Sequence, residues 1–240
     1  MTAKSANAIM RYMQRLRLRF SRGSELKYIS HLDLIRLWER ALRRAGVPLA
    51  YSEGFSPHPR ISLAAPLALG ITSEAELMDV FLKRWTSPHS FIAAVSQQLP
   101  AGIELFEVLA IAPGGASLQS QVRYAEYRVE VETESDREQV ESCLRSLLSA
   151  KHVPWQHTRD TGVRSYDLRP LIDDLWLIDW QSPRCCLGMR LRCDNTGSGR
   201  PEQVAIALGF PQRPLSIHRT KLILAGTGPA RQAQPHARPA

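Results

Sequence analysis

Apolar and basic residues alternate strictly from Arg15 to Phe20, in the order RLRLRF, which is the two-residue period of a strand that buries one face and turns cations outward on the other. After the turn-like Ser21-Arg22-Gly23-Ser24 the period changes to that of a helix. Leu34, Trp38, Ala41, Leu42 and Ala45 fall on one face, most of the arginines of that stretch fall elsewhere, and Gly46 marks the stop. Ser30 is placed to cap this helix, with Asp33 three residues on as its capping-box-like partner. Residues 47–51 read as a strand, and residues 53–60 read as a loop because two prolines and a glycine punctuate them. Strands follow over 61–65 and 75–82, then a helix over 88–99 capped by Ser87, then a strand over 103–111.

The small, uncharged segment 112–121, with Pro113-Gly114-Gly115 at its start, reads as a linker. Beyond it the order repeats: a strand over 124–133, a helix over 135–150, extended segments over 153–156, 161–169 and 184–193, a short helix over 201–208, and a strand over 215–224. The pattern therefore predicts an α+β protein of two tandem ferredoxin-like (βαββαβ) halves, residues 14–111 and 122–225, each with two helices on one face of an antiparallel sheet. Residues 1–13 form an N-terminal extension, and the Gly-, Pro- and Ala-rich stretch 226–240 reads as a disordered tail.

Charge narrows the partners. Lys and Arg number 31 against 23 Asp and Glu, a formal balance of +8 that favours polyanions, nucleic acid ahead of an anionic membrane surface. Cys143, Cys185, Cys186 and Cys193 have no zinc-ligand spacing, so no metal site is expected and the thiols read as reduced. No apolar run has the length of a membrane span and the first residues lack an apolar signal core, so a cytoplasmic location is expected.

Residues 15–82 carry an ordered series of motifs: the strand ending in Phe20, Ser30-His31-Leu32-Asp33, Gly54-Phe55-Ser56-Pro57-His58-Pro59, Pro66-Leu67 with Gly70, and Ser73-Glu74 through to Asp79. Together they resemble the opening of the radical SAM-linked protein family, and Asp167-Leu168-Arg169-Pro170 is the clearest landmark of that resemblance in the second half. Members of that family accompany, or are fused to, radical SAM proteins with a cobalamin-binding region, and some neighbour ribonucleases of the E/G type. The resemblance thus implies a radical SAM partner and a setting in RNA chemistry. An iron–sulfur cluster, S-adenosylmethionine and cobalamin would reside on that partner, since three cysteines in the CxxxCxxC spacing of a radical SAM cluster do not occur here.

Individual residues offer several candidate contacts. His31 and Asp33 stand at a helix start, where free N–H groups and the dipole suit an anion. Phe55, His58 and Arg60 would add a stacking ring and positive charge for an unpaired base. The competing reading makes Asp33 a helix cap and His31 a surface residue. Glu74, Glu76 and Asp79 form a carboxylate group for acid–base chemistry or for ion pairing, with Glu74 and Glu76 on one strand face and Asp79 on the other. Asp167 and Arg169 share a face of an extended segment and read as an ion pair or as a joint ligand contact. Asp160, within Asp160-Thr161-Gly162-Val163, has a four-position likeness to the catalytic loop of tRNA pseudouridine synthases and is the one candidate nucleophile, although Arg159 and Arg164 depart from that pattern. Three functions follow: an accessory protein that binds RNA for a separate radical SAM enzyme, an RNA-modifying enzyme in its own right, or an adaptor that binds only protein.

Overall fold

The computed structural model describes residues 14–159, 162–210 and 212–226. Its strands are β1 (Gln14–Arg22), β2 (Ile61–Leu63), β3 (Thr72–Leu82), β4 (Leu105–Ile111), β5 (Val122–Glu132), β6 (Pro154–Arg159), β7 (Gly162–Asp167), β8 (Ile172–Gln181), β9 (Arg184–Asp194), β10 (Gly197–Ser198) and β11 (Ser216–Leu224). The helices are α1 (His31–Arg44), α2 (Pro88–Ser96), α3 (Leu118–Gln121), α4 (Arg137–Ser149) and α5 (Pro201–Ala207). The protein is thus a mixed α+β molecule in which antiparallel pairing dominates.

Local chemistry explains the helix ends. Ser30 Oγ accepts the Asp33 backbone N–H at 3.1 Å, and its hydroxyl donates to Asp33 Oδ2 at 2.7 Å. Asp136 and Gln139 complete a reciprocal capping box at the start of α4. At the other end of α1, Gly46 adopts φ +68°, a left-handed conformation that an L side chain resists.

The alternation of β1 has the expected result. Leu16, Leu18 and Phe20 are wholly buried with Leu34, Trp38 and Leu42 of α1 and with Phe91 and Val95 of α2. Trp38 meets Phe20 edge-on, ring centroids 4.8 Å apart. A second core gathers α4, α5 and the inner residues of β5, β9 and β11, among them Val129, Leu144, Leu187 and Val204.

In the first half the strand order is β4-β1-β3-β2, and in the second it is β11-β5-β9-β8, every neighbour antiparallel. The two sets are not separate sheets. A short parallel pairing, His218 with Thr72 and Arg219 with Ser73, joins β11 to β3 and makes one nine-stranded sheet.

Three expected elements differ. Ile172–Gln181 adds β8 as an edge strand, and Pro154–Arg159 and Gly162–Asp167 pair instead as a separate two-stranded sheet, β6–β7. Residues 47–51 make only isolated bridges, Leu49 to Leu82 and Tyr51 to Pro59. Segment 112–121 is no free linker. It is an ordered strap in which Ser117 caps α3, Leu118 is buried in the second core, and Ala116, Gln119 and Gln121 bond Arg15, Ser62 and Arg17 respectively.

The tryptophans occupy unlike settings. Trp85 is the exposed one at 69%, while Trp155 and Trp180 are half-buried, Trp180 donating its indole N–H to the Ser135 carbonyl. Trp176 lies over Gly188 of the neighbouring strand, so a Cβ at position 188 would stand 1.9 Å from its ring. Gly188→Ala is expected to lower stability by about 1–3 kcal/mol through overpacking. A thermal melt checks this, and an unchanged midpoint would mean that the indole swings aside freely.

Candidate functional site: an arginine-lined pocket beside the 50–60 hairpin

The outward residues of β1 and β3 converge on Asp79. Arg17 Cα pairs directly with Asp79, and Arg15 lies one step along the same face. Asp79 accepts from Arg15 Nε at 2.9 Å and Nη2 at 2.5 Å, and from Arg17 Nε at 2.8 Å and Nη2 at 3.0 Å. Its side chain is wholly buried and Arg15 is 4% exposed, so this is an enclosed triad of two guanidiniums and one carboxylate with a residual charge of +1. Buried charges persist only when paired and hydrogen-bonded in this way. Arg15 Nη2 also donates to the Ala116 carbonyl of the strap at 3.2 Å.

Next to the triad, residues 50–60 fold into a hairpin instead of a free loop. Arg60 N–H donates to the Ala50 carbonyl and Ser52 N–H to the His58 carbonyl, each at 2.8 Å. The hairpin is stitched to the end of β3, where Ala50 N–H donates to the Phe81 carbonyl at 2.8 Å and Phe81 N–H donates to the Arg60 carbonyl at 3.1 Å. The tip holds Gly54 at φ +123°, and Phe55 at that tip is fully exposed.

This docking brings cations against aromatic faces. Two guanidiniums approach the Phe81 ring, Arg15 Cζ at 5.4 Å and Arg60 Cζ at 5.0 Å from its centroid. On the other side of the hairpin, Lys83 Nζ stands 5.3 Å from the Tyr51 ring. Such cation–π contacts are each worth about 0.5–1 kcal/mol when exposed and more when dry. Two concavities flank the hairpin. One, about 630 Å³, lies between Arg60, Phe81 and Ser62 and the Pro113-Gly114-Gly115 stretch of the strap. The other, about 750 Å³, lies between Tyr51, Gly54, Pro57 and Lys83.

The residues singled out from sequence fall into distinct places. Phe55, His58 and Arg60 belong to the hairpin, Phe55 and His58 exposed and Arg60 half-buried beside Phe81. His31 and Asp33 do not join them. α1 starts near the beginning of β3, where Arg22 pairs with Ser73 and Gly70 N–H donates to the Lys27 carbonyl. The hairpin docks on the far end of β3, roughly 30 Å away at about 3.3 Å per residue. Asp33 is exposed and occupied by the capping Ser30, whose hydroxyl it accepts, and by Arg36, and that hydroxyl holds its carboxyl below the usual range.

The carboxylates do not form one cluster. Glu74 is exposed, 3.9 Å from His218 Nε2. Glu76 is buried against Arg219, with contacts of 2.6–2.9 Å. Asp79 is enclosed in the arginine triad, where a ligand does not reach it. Among the described residues no group of three or more His, Cys, Asp or Glu is placed to hold a metal ion. No helix there is long and apolar enough to cross a membrane.

Asp167 and Arg169 share a corner but do not pair through their side chains. Asp167 accepts the backbone N–H of Val153 at 2.8 Å and of Arg169 at 3.0 Å, and its other oxygen meets His152 Nδ1 at 2.9 Å. The Val153 N–H chiefly, then His152, bring its pKa down to about 2. The Arg169 guanidinium points away and donates to the carbonyls of Leu148 and Ile172. This corner ties the end of α4 to the start of β8. Asp160 lies outside the described residues.

Sequence reasoning missed Arg219, Arg22, Phe81, Tyr51 and Lys83. Arg219 and Arg22 are the hidden members of a buried charge group: Arg219 donates to Glu76 and to the Ala65 and Pro66 carbonyls, and Arg22 to the carbonyls of Leu26, Lys27, Ile29 and Leu67. Burial lowers the pKa of both, but Glu76 outweighs it for Arg219, which stays charged. The Pro66-Leu67 motif thus supplies carbonyls to two buried arginines. For Phe81 a signal existed, since it shares the outward phase of β3 with Asp79.

A model of the family described as "Uncharacterized protein conserved in bacteria (DUF2344)" matches residues 15–201, and that description names neither a function nor a radical SAM partner. No curated protein matches the chain. Among solved structures, a chain of a Cbf5-Nop10-Gar1 complex is similar with a TM-score of 0.47 and 6% identity, over 86% of this chain and 48% of that one. A chain of the archaeal box H/ACA sRNP Nop10-Cbf5 complex gives 0.43 and 5%, over 88% and 48%. A chain of an H/ACA RNP bound to a substrate RNA containing 2'-deoxyuridine gives 0.45 and 7%, over 86% and 47%. The chain spans about half the length of these solved chains. None reaches a TM-score of one half, so what those assemblies bind is not carried over to this chain.

Proposed function

The chain belongs to the DUF2344 family of uncharacterized proteins conserved in bacteria, and on that footing we propose that it is a non-catalytic accessory protein that binds RNA and holds it for chemistry supplied by another polypeptide. One observation carries the reading: the Arg15 and Arg60 guanidiniums both lie within cation–π distance of the Phe81 ring, and all three residues line one open pocket. An aromatic face beside half-dry cations suits a ligand that is itself a planar ring joined to an anion, which describes a nucleotide. Asp79 neutralises only one of the two arginines it holds, and Lys83 stands on the hairpin's other concavity, which Glu53 also lines. The formal balance of +8 supplies the long-range attraction.

The matching strand orders β4-β1-β3-β2 and β11-β5-β9-β8 support reading the chain as two ferredoxin-like halves fused edge to edge. The motif resemblance in residues 15–82 favours a radical SAM protein as the catalyst, with the iron–sulfur cluster and S-adenosylmethionine on that partner. The test is a fluorescence-anisotropy titration of structured RNA against salt. Affinity is expected to fall about tenfold between roughly 50 and 200 mM salt, as displacement of two or three phosphate counterions requires. An affinity indifferent to salt, or none at all, rejects the reading. Capture of the radical SAM protein after nuclease treatment, together with absent RNA affinity, would put a protein-only adaptor in its place.

A further inference from the structure

Resting on that reading, we infer that the ligand is an unpaired strand, with consecutive nucleotides seated on the two sides of the 50–60 hairpin. The hairpin stem separates two concavities that share one feature, although Glu53 also lines the second. Each has an aromatic face with a cation over it: Phe81 with Arg60 on one side, Tyr51 with Lys83 on the other. Their volumes, about 630 and 750 Å³, lie within the roughly 300–1,000 Å³ that accommodates a drug-sized ligand, so each has room for one nucleotide.

The stem holds the two sides in fixed register. Tyr51 bridges Pro59, Arg60 N–H donates to the Ala50 carbonyl, and both ends of the hairpin bond the Phe81 backbone. The relation of one aromatic–cation pair to the other is therefore set by backbone hydrogen bonds and not by side-chain rotamers. Beyond them, Phe55 at the tip is fully exposed next to Gly54 and offers a third aromatic face on the same hairpin. A lone exposed phenylalanine is ordinary on a protein surface. Three aromatic residues on one hairpin and the strand end it docks to, two of them already carrying cations, are less so.

Stacking selects the class of nucleic acid. In a duplex the base faces are covered by neighbouring pairs, so a helix could offer these pockets only phosphates and would leave the rings idle. An unpaired strand offers a face and a phosphate at every nucleotide.

The experiment compares, with the full chain, anisotropy titrations of labelled oligouridine of about twelve nucleotides, oligothymidine of equal length, and an RNA hairpin duplex of equal charge, a length that covers the site sizes typical of stacking platforms. Oligouridine is expected to bind at least tenfold more tightly than duplex. Phe55→Ala and Tyr51→Ala are each expected to weaken it about five- to tenfold while leaving the salt slope and the duplex affinity unchanged. Both residues are exposed, so circular dichroism should show native folding. Duplex binding as tight as single strand, or both variants binding as wild type, overturns the unpaired-strand assignment and leaves polyanion binding standing. Oligothymidine bound as well as oligouridine supports the unpaired strand and removes RNA preference from the proposed function. No binding of any strand ends both readings.

Discussion

Glu76→Ala is expected to lower the unfolding free energy by about 3–5 kcal/mol, the range for removing one partner of a buried ion pair. Arg219 is 0% exposed, and its only anionic hydrogen-bond partner among the described residues is Glu76. With the carboxylate gone, the guanidinium keeps the Ala65 and Pro66 carbonyls and the neutral Tyr127 hydroxyl, and the positive Arg22 nearby adds repulsion. Set against a typical total of about 5–15 kcal/mol, the loss is a large fraction of the stability. The consequence is also positional, since Glu76 is on β3 and Arg219 is on β11, where the two halves meet. Urea denaturation followed by circular dichroism reads the effect. The double variant Glu76→Leu with Arg219→Met should recover a substantial part, because an apolar pair leaves no uncompensated charge. A single variant within about 1 kcal/mol of wild type would show that the neutral partners of Arg219 suffice to hold it.

Asp79→Asn is expected to cost about 3 kcal/mol and to abolish most RNA binding as well. The substitution preserves shape but removes the one negative charge between Arg15 and Arg17, which are enclosed beneath the strap. Arg15 then has reason to rotate toward solvent. That movement breaks its bond to the Ala116 carbonyl and takes its guanidinium off Phe81, so the floor of the pocket and its roof change together. Chemical denaturation measures the first loss and an anisotropy titration at temperatures well below unfolding measures the second. Native stability in this variant would refute the triad as the anchor of the pocket; loss of stability with full RNA affinity would separate the triad from the binding site.

How much of this could be read in advance is clearest residue by residue. The β1 alternation, the Ser30 cap, the Gly46 stop and the Ser87 cap all appear in the fold because each depends on neighbours within a few positions. β8 escaped because its pairing with β9 shifts register between Ile172 and Asp174 and again between Leu177 and Asp179, which destroys the two-residue period that marks a strand. The strap looked like a linker for a related reason. Its small polar residues carry no period, and what orders them is a set of bonds to Arg15, Arg17 and Ser62, far away in sequence.

The candidate site divides in the same way. Phe55, His58 and Arg60 stood out because a glycine and two prolines mark their segment. Their partners did not, because nothing near Phe81 or Lys83 shows that a hairpin starting thirty residues earlier will dock beside them. Likewise, the spacing of Glu74, Glu76 and Asp79 hinted at a carboxylate cluster, yet the bulge in the β1–β3 pairing and the two different arginine sources send them to three environments.

By itself, then, the amino-acid order determined the secondary structure with local causes, the α+β class and the cationic character. Tertiary structure alone decided that β11 joins β3 in one nine-stranded sheet, that Asp79 and Glu76 are enclosed counter-ions and not surface ligands, and that two guanidiniums meet the Phe81 ring. The physical reason is range: caps and periods act over one or two turns of chain, whereas burial of a charge and the meeting of an aromatic face with a cation depend on which distant segments the sheet brings side by side.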